Sequence, residues 1–120
     1  MNEFTRHMAD VFRAFGAFEV RRMFAGYGLF RDGLMFGLVY DGTLYLKVDG
    51  ENVANFVRLG LPQFLYARRG KLVGLSFYRA PDSVMDDSGE AAVWARSSWE
   101  AALRANAGKR LKGRKRRRDG

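Results

Sequence analysis

Arg21-Arg22-Met23-Phe24-Ala25-Gly26-Tyr27-Gly28-Leu29-Phe30-Arg31-Asp32-Gly33-Leu34-Met35-Phe36 interleaves three glycines with aromatic residues and sets an Asp-Gly pair before an apolar run. Asp-Gly suits a two-residue type I′ hairpin loop, in which both positions need positive φ. Gly26 and Gly28 stand just before the hairpin's first strand or inside it. There, a glycine marks a bulge or a close backbone approach.

The turn fixes a register. With Asp32-Gly33 as the loop, Arg31 faces Leu34, Phe30 faces Met35, Leu29 faces Phe36, Gly28 faces Gly37 and Tyr27 faces Leu38. A second loop at Asp41-Gly42 sets Tyr40 opposite Thr43, Val39 opposite Leu44, Leu38 opposite Tyr45 and Gly37 opposite Leu46. Side chains alternate across a sheet. One face then carries Gly28, Phe30, Met35, Gly37, Val39, Leu44, Leu46 and Val48. It has no charge and is expected to form the core, with Gly28 and Gly37 opening a shallow groove for a helix. The other face carries Tyr27, Leu29, Arg31, Leu34, Phe36, Leu38, Tyr40, Thr43, Tyr45 and Lys47. Such a mixture of aromatic, aliphatic and basic groups usually meets something: another part of the chain, a second subunit or a ligand. Tyr27, Arg31, Phe36, Tyr45 and Lys47 are the expected partner-binding residues.

Before the hairpins, Phe4, Met8, Val11 and Phe15 recur at helical spacing, with Phe12 beside them. A helix is expected over 3–15, capped by Asn2 and stopped at Gly16. Residues 18–24 suit a strand. After Asp49-Gly50, residues 52–59 read as a short helix with Val53, Phe56 and Val57 inward, closed by Gly60. Residues 64–67 and 72–79 read as strands joined by the basic turn Arg68-Arg69-Gly70-Lys71. Asp87-Ser88-Gly89-Glu90 fits a capping box. The helix after it carries Ala95, Trp99, Ala102, Leu103 and Asn106 on one face and is expected to end at Gly108. Trp94 and Trp99 lie about 140° apart around it, so one belongs to the core and the other to an edge. The expected fold is a two-layer α+β domain in the order α-β-β-β-β-α-β-β-α.

Charge divides the 120 residues unevenly. Residues 108–120 hold Lys109, Arg110, Lys112, Arg114, Lys115, Arg116, Arg117 and Arg118 against the single acid Asp119, a net +7. The other 107 residues hold 13 cations and 12 acids, a net +1. The chain is therefore read as a nearly neutral domain over 1–107 and a basic tail over 108–120, disordered when unbound. The tail is the first candidate for nucleic-acid contact, and Arg68, Arg69 and Lys71 are the second.

The chain has no cysteine and one histidine, which excludes disulfides, thiolate metal sites and a Cys nucleophile. His7 has no second ligand near it in sequence and reads as a boundary residue of the first helix. Gly26-x-Gly28 lacks the third glycine and following helix of a dinucleotide site, and the lysine of a P-loop. No catalytic set, metal site or cofactor site is expected, and the chain is read as non-enzymatic. It shows neither a signal peptide nor a membrane span, so a cytoplasmic location is expected.

Arg21, Arg22, Met23, Phe24, Gly26, Tyr27 and Gly28 resemble the signature of the TfoX N-terminal domain family, named for the bacterial competence regulator also called Sxy. Leu44-Tyr45-Leu46-Lys47-Val48-Asp49, Phe64, Tyr66, Ser76-Phe77-Tyr78, Ala80-Pro81-Asp82 and a Trp-bearing last helix follow in similar order, so the resemblance spans about residues 8–105. Ala25 stands where a glycine is common. The resemblance implies a two-layer α+β fold and a regulatory role in competence, exerted through partners in transcription. It also implies a stand-alone N-terminal domain, because the larger regulators carry a second domain. Two functions stay open. One is a regulatory module with a protein partner and nonspecific nucleic-acid affinity in its tail. The other is a homodimeric interaction or adaptor domain with no nucleic-acid role.

Overall fold

The computed structural model describes residues 2–23 and 25–119, with the backbone alone for 112–119. Phe24 of the signature lies outside the described residues. The elements are α1 (Glu3–Val11), β1 (Glu19–Met23), β2 (Gly26–Arg31), β3 (Leu34–Tyr40), β4 (Thr43–Lys47), α2 (Val53–Arg58), β5 (Gln63–Arg68), β6 (Lys71–Arg79), α3 (Ser83–Asp86) and α4 (Ser88–Asp119). The six strands form one antiparallel sheet in the order β1-β2-β3-β4-β6-β5. The α+β class is as expected, with the short α3 added.

Three tight turns build the sheet. Asp32-Gly33, Asp41-Gly42 and Arg69-Gly70 all have positive φ at both residues, between 50° and 79°. That is the type I′ geometry, whose twist matches that of the strands it joins. β3 and β4 pair in the expected register.

The β2–β3 pairing departs from expectation. It begins as expected, with Arg31 opposite Leu34 and Phe30 opposite Met35, but the register then slips, and Leu29 faces Gly37, Gly28 faces Leu38 and Tyr27 faces Val39. Phe36 is the extra residue of a β-bulge. A one-residue slip exchanges the two faces of a strand. Tyr27 and Leu29 therefore turn toward the helices, together with Phe36, and Gly28, Phe30 and Met35 turn away. Gly28 and Gly37 do not form the expected groove. A methyl group on Gly37 would meet Leu29, and one on Gly28 would meet Phe30, Met23 and Met35 on the opposite side.

The core lies between the sheet and the helices. α1 ends at Val11, not Phe15, and Phe12–Gly16 continue in tight turns closed by Phe15 N–H and Gly16 N–H donating to the Phe12 carbonyl. Met8, Val11, Phe12 and Phe15 are buried all the same. Phe12, Phe15 and Phe18 pack around Phe36 with centroids 5.0–6.0 Å apart, mostly edge to face. Asn2 caps α1 by accepting from Thr5 N–H at 2.8 Å. Phe56 of α2 is buried against Trp94 and Tyr78, but Val57, expected inward, is exposed.

α4 crosses the same face on small residues. Ala91, Ala95, Ser98, Ala101 and Ala102 are buried, so its backbone approaches the sheet closely. Asp87 caps it as expected, its carboxylate accepting from Gly89 N–H at 2.9 Å and Glu90 N–H at 3.1 Å. Trp94 packs on Phe56, and Trp99 donates to the Arg31 carbonyl at 3.3 Å. Leu103, placed on the inner face from its spacing, is exposed. The stop expected at Gly108 is absent, and the helix continues to Asp119. Each of Gly108 and Gly113 costs the helix only about 1 kcal/mol, and the lysines, arginines and leucine between and after them are good helix formers.

Among the described residues no helix covers the cluster at the centre of the sheet's second face. Leu38, Phe64 and Phe77 are nevertheless buried there, with Met35, Tyr45, Tyr66 and Leu75 packed around them. The cause is curvature. β5 is three places from β3, about 14 Å in a flat sheet at ~4.8 Å per strand. Yet the Phe64 ring lies 5.2 Å from Tyr40 of β3 and 4.8 Å from Tyr45 of β4. The outer hairpin curls over the open face, helped by a register shift between Gln63 and Leu65.

Candidate functional site

The bulge divides the five expected partner residues. Phe36 has no exposed surface. Tyr27 stacks on Phe4 with centroids 4.2 Å apart, inside the helix-covered layer. Arg31 is a clamp: its guanidinium donates to the Phe15 carbonyl at 2.7 Å and the Ala17 carbonyl at 3.0 Å. It also sits 3.5 Å from the Phe15 ring centroid and 5.3 Å from that of Trp99. These three residues hold α1, the loop after it and α4 to the hairpin. A planar five-donor group explains why arginine stands here, between two carbonyls and two rings.

Tyr45 and Lys47 lie on the open face as expected. Around Tyr45 are Tyr40, Phe64 and Tyr66, with Tyr40 the most exposed of the rings. Arg21, paired with Glu19 at 3.1 Å, lies over the Phe30 ring at 4.4 Å farther along this face. The open face is thus aromatic at its centre and cationic at its margins.

Lys47 is the last residue of β4. Its ammonium donates to the Ser76 hydroxyl at 2.6 Å and lies 5.2 Å from the Phe77 ring centroid. Beside it is a notch of about 200 Å³ lined by Leu34, Met35, Lys47 and Phe77 from the sheet and Ala102, Ala105, Asn106 and Lys109 from α4. Burial holds the Lys47 ammonium below its usual pKa, the Lys109 cation pushes it the same way, and Asp49 opposes both.

The loop after β4 is locked. Asn52 is buried: its amide donates to the Lys47 carbonyl at 3.1 Å and the Ser97 hydroxyl at 3.3 Å, and its oxygen accepts from Asp49 N–H at 2.8 Å. Arg104 of α4 donates to both Asp49 oxygens, at 2.6 and 3.0 Å, and reaches Glu51 at 2.8 Å. The hydrogen bond from Arg104 is the main cause that holds the Asp49 carboxyl below the usual carboxylate range. Sequence reasoning gave Asn52 and Arg104 no role. The one local signal was Asn52 at the start of a predicted helix; Arg104 is 55 residues from its partner.

The remaining expected cations stand at two projecting ends. Arg68, Arg69 and Lys71 are exposed at the β5–β6 turn. β6 pairs with β4 only through Phe77–Arg79, so the rest of that hairpin runs past the end of β4. Lys109 and Arg110 are exposed on α4. The side chains of Lys112, Arg114, Lys115, Arg116, Arg117 and Arg118 lie outside the described residues. Among the described residues no three His, Cys, Asp or Glu side chains are grouped to hold a metal, and no helix is long and apolar enough to cross a membrane.

These features define an α+β domain with one helix-covered sheet face, one open aromatic face and a basic end. The chain belongs to the TfoX N-terminal domain family, which it matches over residues 10–102. Within the signature, Gly26 and Gly28 occupy β2, Arg21, Arg22 and Met23 occupy β1, and Tyr27 packs, partly buried, against the core. Two curated relatives are the DNA transformation protein TfoX1 of Aliivibrio fischeri, 32% identical over 78 residues, and the protein Sxy of Escherichia coli, 29% identical over 89 residues. The matches cover 65% and 74% of this chain but 37% and 43% of the relatives. The chain therefore spans less than half the length of either.

Proposed function

We propose that this chain is a non-enzymatic regulatory module that acts in the cytoplasm on competence, through protein partners in the transcription machinery. The observation that carries the reading is the match to the family over residues 10–102, nearly all of the body, with relatives that include a DNA transformation protein. The partner surface is the open sheet face around Tyr40, Tyr45, Tyr66 and Lys47. Half-exposed tyrosines there offer large rigid area at low entropy cost, and such residues dominate interface energetics. The basic end of α4 adds a sequence-independent grip on nucleic acid. Its affinity falls with salt by a slope of about −0.9 per phosphate neutralised.

The test replaces Tyr40, on the rim of the face, with Asp in the strain that carries the chain. Transformation frequency is expected to fall to the level of the deletion, with the protein still folded at wild-type abundance. A fully active variant overturns the assignment of the face. The same open face also favours a second reading, a homodimeric adaptor. Sedimentation at micromolar concentration separates the two: a dimer dissociated by Tyr40→Asp supports the adaptor, and a monomer supports the regulatory module.

A further inference from the structure

We propose that the notch between Lys47 of β4 and Lys109 of α4 binds a phosphate group. Two ammonium groups from separate elements line one hollow of about 200 Å³, and among the described residues no carboxylate lines it with them. That volume is several times the ~30 Å³ share of one liquid water, room enough for a phosphate. Like charges held together repel, and a bound anion removes that cost while gaining from both. Asp49, the acid whose charge acts on Lys47, is itself held by Arg104 through two hydrogen bonds.

The donors are already placed. Lys47 is held by the Ser76 hydroxyl and the Phe77 ring, which leaves its other ammonium hydrogens for a ligand. Asn106, one helical turn before Lys109, lines the same hollow, and its amide can donate beside the two cations. Leu34, Met35, Phe77, Ala102 and Ala105 form an apolar floor that excludes water from one side and strengthens each charge contact.

The notch lies at the root of α4's basic end and on the side toward which the β5–β6 hairpin overhangs β4. Lys109 is also the first of the eight cations that the sequence gathers within residues 108–120. A nucleic-acid backbone is therefore the favoured source of the phosphate, and a small phosphorylated ligand is the other. The nucleic-acid assignment rests on the reading of the basic end given above; the notch itself does not.

The experiment uses the full chain in two arms. In the first, fluorescence anisotropy follows a labelled oligonucleotide across a salt series for wild type, Lys47→Gln and Arg6→Gln, which removes one charge from exposed α1. Lys47→Gln is expected to weaken binding three- to tenfold at moderate salt and to lower the salt slope by about one, with Arg6→Gln near wild type. In the second, inorganic phosphate is titrated while NMR follows the Asn106 side-chain amide and the Lys47 and Ser76 backbone amides. Saturable shifts in wild type, lost in Lys47→Gln, are expected. Matching amide spectra before titration show that the variant is folded.

The outcomes separate the claims. Wild-type oligonucleotide binding unchanged by Lys47→Gln, with no saturable phosphate shifts, overturns the notch and leaves the basic end as the nucleic-acid contact. Phosphate shifts without oligonucleotide binding support the notch as a site for a small phosphorylated ligand and overturn the nucleic-acid reading. Neither signal overturns both.

Discussion

Gly26→Ala and Gly28→Ala are chemically identical changes two residues apart on β2, yet they should differ several-fold in cost. A Cβ on Gly26 would stand 1.7 Å from the Val39 carbonyl oxygen and 2.8 Å from its carbon. Real Cβ contacts do not fall below 3.0 Å, so β2 and β3 must part by about 1.3 Å. That separation breaks the adjacent ladder bonds, worth about 1 kcal/mol each, and adds overpacking strain of ~1–3 kcal/mol. The expected loss is about 3 kcal/mol, a large part of the ~5–15 kcal/mol that holds a domain of this size. A Cβ on Gly28 meets instead the Phe30 ring edge at 2.6 Å and the sulfurs of Met23 and Met35 at 2.7 and 3.0 Å. These are the ends of flexible side chains and can turn aside. Replacing glycine in a strand also gains ~0.5–1 kcal/mol of chain entropy. Gly28→Ala should therefore stay within about 1 kcal/mol of wild type. Urea unfolding followed by Trp94 and Trp99 fluorescence measures both, at constant m-value. A Gly26→Ala variant no less stable than Gly28→Ala would refute the reasoning, because it would mean that the two strands do not approach at Gly26.

Arg31→Lys keeps the charge but loses the forked donation to the Phe15 and Ala17 carbonyls and the stacking on Phe15, and should lower stability by about 2 kcal/mol in the same assay. Ser98→Ala should raise stability by about 1 kcal/mol, because the Ser98 hydroxyl is buried without a hydrogen-bond partner; a loss would point to a partner in solution. Asp49 has a folded pKa below its unfolded value through Arg104, so its stabilising effect is complete above the unfolded value near pH 4. That effect is lost as pH falls from there through the folded value. Asp49→Asn should therefore flatten the stability–pH curve below about pH 4, and an unchanged curve counts against the Arg104 contact.

The β2–β3 hairpin shows where local reading stops. Its turn was legible because Asp32-Gly33 has a chemistry that few other turns accept. The register three residues on was not, because a bulge at Phe36 conserves the turn and both strands and changes only which residues share a face. The glycines at 26 and 28 did signal a bulge or a close approach, but not which of them abuts a backbone and which a side chain. Tyr27 and Phe36 were read as surface for this reason alone. Lys47 and Tyr45 were placed correctly because β4 pairs without a slip. The lock of Asn52, Asp49 and Arg104 depends on a contact 55 residues apart in sequence, which no local periodicity carries.

The family match and the charge do not coincide, and this gives a last test. The matched span ends at residue 102, while the run of cations begins at Lys109. Among the described residues of α4 the last buried ones are Ala101 and Ala102, and Arg104 makes the last described tie to the body. Among residues 107–111 none is buried. A chain truncated after Ala107 should therefore keep its fold, with a stability change within about 0.5 kcal/mol, as for surface changes. It also loses Lys109 from beside Lys47, which relieves one of the two causes that lower the Lys47 pKa. The truncation should lose nucleic-acid affinity and retain whatever the open sheet face binds. If it instead retains nucleic-acid binding with a steep salt slope, the cations of the β5–β6 turn carry the contact, and the basic end of α4 is dispensable for it.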